Sequence, residues 1–166
     1  MLNNWSLRRV LLAGESSEML RTMDAQLCAA GARPFHTSAP FCEEALSRML
    51  QQRRCACVIV PDLLALDTHD PQARFDALDM LLGEIREAGV PLAILLYRIN
   101  ASHDSEAAQL FSHAAGWAHG MFGDPVNIQC IRYAAADIRR VCLDALMLGA
   151  RFLAGETACT GIFTFT

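Results

Sequence analysis

Val10–Leu20 reads VLLAGESSEML, and the fold turns on how that stretch is read. Val10, Leu11, Leu12 and Ala13 form a short apolar run, as expected of a strand covered on both faces. Gly14 supplies a tight turn, and Ser16 or Ser17 is placed to cap the helix that follows. Strand, turn and helix in that order open an α/β unit. In an open α/β sheet, chemistry sits outside the carboxyl ends of the strands. On the first strand that position carries Gly14, Glu15, Ser16 and Ser17.

Working outward, strand and helix patterns alternate. The first helix runs from near Ser17 to Ala30, with Leu20, Met23 and Leu27 three and four apart, and Gly31 closes it. Ala32–Thr37 reads as a second strand, at an edge because of Pro34. Cys42–Gln52 is a helix with Leu46, Met49 and Leu50 turned inward. Cys55–Val60, CACVIV, is an apolar run suited to a central parallel strand. A connection rich in Asp and Pro, 61–74, leads to a helix over Phe75–Ala88 and a strand over Val90–Leu96. A helix of small residues follows from Ser105 to about Gly116. Gly120–Phe122 is expected as a short fifth strand. From Asp124-Pro125, helical spacing through Ile128, Ile131, Ala135, Ile138, Cys142, Ala145 and Leu148 predicts one long last helix to about Leu153. The alternative places a strand over Val126–Ile131 and a shorter helix after it. Residues 1–8 read as an arm, 9–154 as one domain, and 155–166 as a tail. Its GIFTFT, at Gly161–Thr166, alternates like a strand and is expected to begin a following domain.

With 166 residues the chain can bury a full core in one domain. It is 53% hydrophobic, with mean hydropathy +0.23. No apolar run reaches the ~20 residues a membrane span needs, so no insertion is expected. MLNNWSLRR has no signal-peptide apolar region before its arginines, which points to the cytoplasm. A net charge of −4 argues against nucleic-acid binding. The arginine pairs 8–9, 53–54 and 139–140 read as solvated caps. The seven cysteines are irregularly spaced, and Cys55-x-Cys57 lacks a second ligand pair. They read as small buried hydrophobes in a reducing compartment.

Five motifs together resemble the receiver domain of bacterial response regulators. VLLAGESSEML is similar to the receiver opening, and FCEEALSRML to the start of its second helix. ACVIVPDLL looks like the third strand, which ends in the phosphoryl-accepting aspartate. LLGEIREAGVPLAILLY resembles the third helix and fourth strand, and HAAGWAHGMFGDP the segment that carries the family's lysine. The likeness runs over about 8–148. It implies a flavodoxin-like sheet of five parallel strands with helices on both faces, to which the helical spacing adds the long last helix.

The departures matter as much. The family's paired acids fall on Gly14 and Glu15, its acceptor aspartate on Pro61 beside Asp62, its Thr or Ser on Tyr97, and its lysine on Asp124. Phosphoryl transfer to aspartate needs a carboxylate nucleophile, a metal and a cation. This chain contains no lysine at all. The resemblance therefore implies a non-enzymatic, phosphorylation-independent regulatory or interaction domain with no cofactor. Glu15 and Asp62 would hold a divalent cation only where their loops converge. Protein contact is expected through Trp117, His119, Met121, Phe122 and, on the overlong helix, Met147, Leu148 and Phe152. The partner would be a second copy or an adjacent domain.

The alternative is a Rossmann-type nucleotide-binding protein similar to short-chain dehydrogenases. RFDALDMLLGEIREAGV and the strand after it resemble the helix and strand before that family's catalytic serine. Against it, no glycine follows Gly14 until Gly31, Glu15 opposes a pyrophosphate, and Tyr-x-x-x-Lys is absent. His69 and His103, each beside an aspartate, read as loop residues rather than as parts of a triad.

Overall fold

A computed structural model describes residues 2–134, 137–156 and 159–166. Strands β1 (Arg9–Ala13), β2 (Arg33–Thr37), β3 (Cys57–Val60), β4 (Ala93–Arg98), β5 (Ile128–Tyr133) and β6 (Gly161–Phe165) alternate with helices α1 (Glu18–Ala29), α2 (Glu43–Gln52), α3 (Pro71–Ala88), α4 (Asp104–Ala118) and α5 (Ile138–Leu153). The strands form one parallel sheet in the order β2-β1-β3-β4-β5-β6. Short 3-10 turns occupy Leu2–Trp5 and Leu63–Ala65. Among the described residues, no helix is long and apolar enough to cross a membrane.

Local chemistry accounts for the helix ends. The Ser17 side chain accepts from Leu20 N–H at the start of α1. Asp70 does the same for Ala73 N–H, with Pro71 beginning α3 and Gly89 ending it in the left-handed region at φ 67°. All of β3 and most of β1 and β4 are buried, which is why they read as unbroken apolar runs.

Helices α2, α3 and α4 cover one face of the sheet through Leu46, Leu78, Leu82, Leu110 and Phe111. Helices α1 and α5 cover the other, with Met23, Leu27, Cys142 and Leu146. The N-terminal turn joins this second face. Trp5 is fully buried, and its Nε1 donates to Leu146 O at 2.8 Å. The connections β3–α3–β4, β4–α4–β5 and β5–α5–β6 all step the same way across the sheet, but α5 lies on the opposite face. The last crossover therefore has the hand opposite to the two before it, a rare arrangement. It leaves the α4-side face of β5 and β6 without a covering helix beyond α4.

Three expectations are corrected here. The sheet has six strands, not five. The fifth is Ile128–Tyr133, while Gly120–Phe122 is loop. The last helix is the 16-residue α5 rather than a continuous helix from Asp124; Ala135 of that expected helix lies outside the described residues. The physical reason is that Ile128, Cys130 and Ile131 satisfy helical spacing and strand burial alike. The non-local ladder to β4, with Leu95 beside Cys130, decides between them. Cys130 is thus a strand residue and not a partner of Cys142 on one helix. Gln129 is buried, and its amide donates to Leu148 O and Cys159 O, tying α5 and the segment before β6 to β5. Of the expected tail, of which Thr157 and Ala158 lie outside the described residues, Gly161–Phe165 pairs in register with Gln129–Tyr133.

Candidate functional site

Strand order reverses between β1 and β3, so the crevice outside their carboxyl ends is the switch point where such sheets bind ligands. Gly14 and Glu15 leave β1 there, and Pro61 and Asp62 leave β3. The two ends do converge, but the chain fills the space between them. Glu15 N–H donates to Ala65 O at 2.8 Å, and Gly14 N–H to Thr37 O at 2.9 Å. Gly14 sits at φ 134°, and a Cβ there would lie 3.2 Å from Ala65 O. Leu63 and Leu66 are fully buried in the core beneath.

The plug is stitched down by its own polar groups. Asp62 Oδ1 accepts from Leu64 N–H at 3.1 Å, capping the 3-10 turn. Thr68 Oγ1 donates to Glu15 Oε1 at 3.1 Å. Asp67 accepts from His69 N–H at 2.9 Å and pairs with its Nδ1 at 2.7 Å. The His69 backbone N–H and then its ring hold the Asp67 carboxyl below its ordinary range. The Asp67 carboxylate in turn raises His69. Arg74 holds Glu106 of α4 in a two-pronged pair at 2.5 and 2.7 Å and reaches Asp67 O at 3.2 Å. Glu15 and Asp62 are thus engaged in local hydrogen bonds. Among the described residues, no group of three or more His, Cys, Asp or Glu is placed to hold a metal.

On the other side of Gly14 the mouth is open. A cavity of about 670 Å³ lies between the ends of β1 and β2 and the start of α1. Gly14, Glu15, Ser16, Arg21, Asp24, His36, Thr37 and Ser38 line it. Arg21 Nη1 donates to Ser16 Oγ at 3.2 Å, and His36 Nε2 meets Asp24 Oδ1 at 3.2 Å. The residue reading above missed Arg21, His36, Thr37 and Ser38. Their signal was position: Arg21 lies in the first turn of α1, and His36 and Thr37 close the second strand with Ser38 next, where a dinucleotide fold places its ribose contacts.

The remaining sequence candidates scatter. Tyr97 is buried in β4, its hydroxyl donating to Asp104 Oδ1 at 2.6 Å. Burial, and then that carboxylate, pushes Tyr97 up to about 12. Asp124 precedes β5 and so lies at the amino end of the sheet, opposite Gly14 and Pro61. The lysine position implied by the receiver likeness is therefore not at the crevice. Trp117 is 7% exposed, stacked on Phe122 at 5.2 Å with Arg86 4.8 Å over its ring, and locks α4 to α3. His119, Met121 and Phe122 remain exposed beside it. Leu148 and Phe152 pack against the α1–α5 core, and Met147 is exposed. His103 sits at the start of α4.

No family model and no curated protein matches the chain. Two solved structures are similar to it. BdcA from E. coli aligns over 98% of this chain and 100% of its own, with TM-score 0.64 and 14% identity. A GDP-6-OMe-4-keto-L-xylo-heptose reductase from C. jejuni aligns over 76% of this chain and 46% of its own, with TM-score 0.57 and 7% identity. At these identities the likeness is one of fold: an α/β sheet of Rossmann or flavodoxin type. These neighbours favour the Rossmann-type alternative and overturn the receiver reading. The assignments to response regulators, signal transduction and a receiver-derived interaction domain are corrected accordingly. The sixth strand agrees with that correction, since the receiver likeness implied five.

A Rossmann fold implies a dinucleotide, and the residues present do not fit one. The amide that would meet its pyrophosphate is bonded to Ala65 O, Leu63 and Leu66 fill the crossing, and Glu15 adds negative charge.

Proposed function

We propose that the chain is a Rossmann-type, short-chain-dehydrogenase-like protein that takes a mononucleotide rather than a dinucleotide and transfers no hydride. Dinucleotide folds are built from two mononucleotide-binding halves, and the ligand crosses between them at the switch point. Here one half is open and the crossing is closed. The observation that carries the reading is the Glu15 N–H bond to Ala65 O, with the 670 Å³ cavity left beside it. Arg21 and the N–H groups opening α1 suit a phosphate, with His36 nearby. Asp24, Thr37 and Ser38 can meet ribose hydroxyls. The lack of any lysine removes the usual proton-relay partner of the tyrosine in hydride-transferring relatives of this resemblance.

Calorimetric titration with AMP, NAD and NADP tests this, alongside an assay of NAD(P)H oxidation with carbonyl substrates. The expected result is saturable AMP binding, weakened about fivefold or more by Arg21→Ala or His36→Ala, with NAD and NADP no tighter than AMP. A dinucleotide bound about tenfold tighter than AMP, or any turnover, would overturn the proposal.

A further inference from the structure

The reversed last crossover leaves a trough on the α4 side of the sheet. Its floor is the outward face of β5: Ile128, Cys130 and Arg132. One wall is Ala108, Ala115 and Ala118 of α4, and the other is Ile162 of β6. Two cavities of about 470 and 490 Å³ lie next to one another beside α4, with Ala115 and Ile162 lining both. From Asn127 to Arg132 the trough runs about 17 Å, at ~3.3 Å per strand residue.

Its chemistry is polarised. Ile162 is 59% exposed although its register partner, Cys130, is 3% exposed and its sequence neighbour Phe163 packs on the opposite core. The exposed Ile162 side chain facing the alanines of α4 offers apolar surface against which an aliphatic group can be buried. Arg132 stands exposed at one end and forms no hydrogen bond or ion pair among the described residues. The nearby Asp104 carboxylate already accepts from Tyr97 Oη and Asn100 N–H. Ser112 adds a hydroxyl at the same end.

We infer that this trough binds an amphiphilic monocarboxylate, with its aliphatic body between Ala115 and Ile162 and its carboxylate on Arg132. Charge complementarity selects that occupant: Arg132, the one arginine of the lining, stands at one end of a stretch walled by Ala115, Cys130 and Ile162, and the Asp104 carboxylate at that end is held by Tyr97 and Asn100. The site lies away from the mononucleotide cavity and stands or falls independently of it.

The test is calorimetric titration of the whole chain with decanoate, 1-decanol and butyrate. Wild type is expected to bind one decanoate per chain. Decanol and butyrate should each bind about tenfold more weakly, since one lacks the charge and the other the body. Arg132→Gln should weaken decanoate at least about fivefold and leave decanol unchanged. Ile162→Glu, at a position 59% exposed, should abolish decanoate binding while thermal unfolding stays close to that of wild type. No saturable decanoate binding, or binding indifferent to both substitutions, overturns the inference. A concentration-dependent dimer that excludes decanoate and dissociates in Ile162→Glu would give the trough to a second copy and overturn it equally.

Discussion

The two sides of Gly14 face the same end of the same sheet and have opposite characters. Toward β2 the mouth is open and largely polar, lined by Arg21, His36, Thr37 and Ser38. Toward β3 it is filled by Leu63 and Leu66 and sealed by the Glu15–Ala65 bond. The strand ends alone do not separate the two, because both are carboxyl ends of parallel strands. The connections differ. The β1–α1 turn is four residues long and leaves the start of α1 on the rim of the open cavity. The 61–70 segment is long enough to fold back and has leucines to bury. In this fold a crevice is a default, and one apolar loop can revoke it.

The largest effect should come from emptying the plug. Leu66→Ala or Leu63→Ala should cost about 2–5 kcal/mol in denaturant unfolding, the range for fully buried leucines. A cost under about 1 kcal/mol would mean the segment is not part of the core and would dissolve the contrast. Next comes the clamp that holds the segment to α4. Arg74→Met leaves the Glu106 carboxylate, 15% exposed, without its partner and should cost about 1–3 kcal/mol. Adding Glu106→Leu should recover part of that loss, so the double variant separates the ion pair from packing.

Helix caps set the two sides against each other directly. Ser17→Ala and Asp70→Ala should each cost about 1 kcal/mol in thermal or denaturant unfolding. Only Ser17→Ala should also weaken AMP, because α1 starts at the open side. Equal effects on AMP would erase the distinction.

The smallest effect is in pH. His69 is raised by Asp67, so its contribution is full below the ordinary histidine value and fades as pH rises through the folded one. Asp67 is lowered, so its contribution holds above the ordinary aspartate value and fades as pH falls through the folded one. Protection of the Glu15 amide, its exchange relative to the intrinsic base-catalysed rate, should be greatest between those flanks. His69→Gln should remove the alkaline flank and leave protection at high pH at the wild-type level.

The sequence made much of the scaffold legible. The run Val10–Ala13 is strand as read, and α2 and α3 end at Gln52 and Ala88 as read. These rest on runs of apolar residues and on capping chemistry, both local. The errors fall where two local patterns coincide. Ile128 and Ile131 fit helix or strand, and only pairing with Ala93 and Leu96 resolves them. The receiver likeness had a similar origin. A Rossmann sheet without its outermost strand has the strand order of the flavodoxin type, so order and motif spacing alone carry both readings. At the site, the structure brings the ends at Gly14–Glu15 and Pro61–Asp62 to one edge of the sheet, whereas Asp124 lies at the other, since its place depended on the misread fifth strand.

By itself, then, the sequence determined the α/β alternation, the buried central strands and the turn that leaves β1 at Gly14, because backbone propensity, side-chain periodicity and caps act within a few residues. Tertiary structure alone decided that the 61–70 segment plugs one side of that mouth. It also put α5 on the far face, opening a trough beside α4, and took β6 into the sheet. Those outcomes depend on contacts between residues tens of positions apart, whose energies no local window of the chain contains.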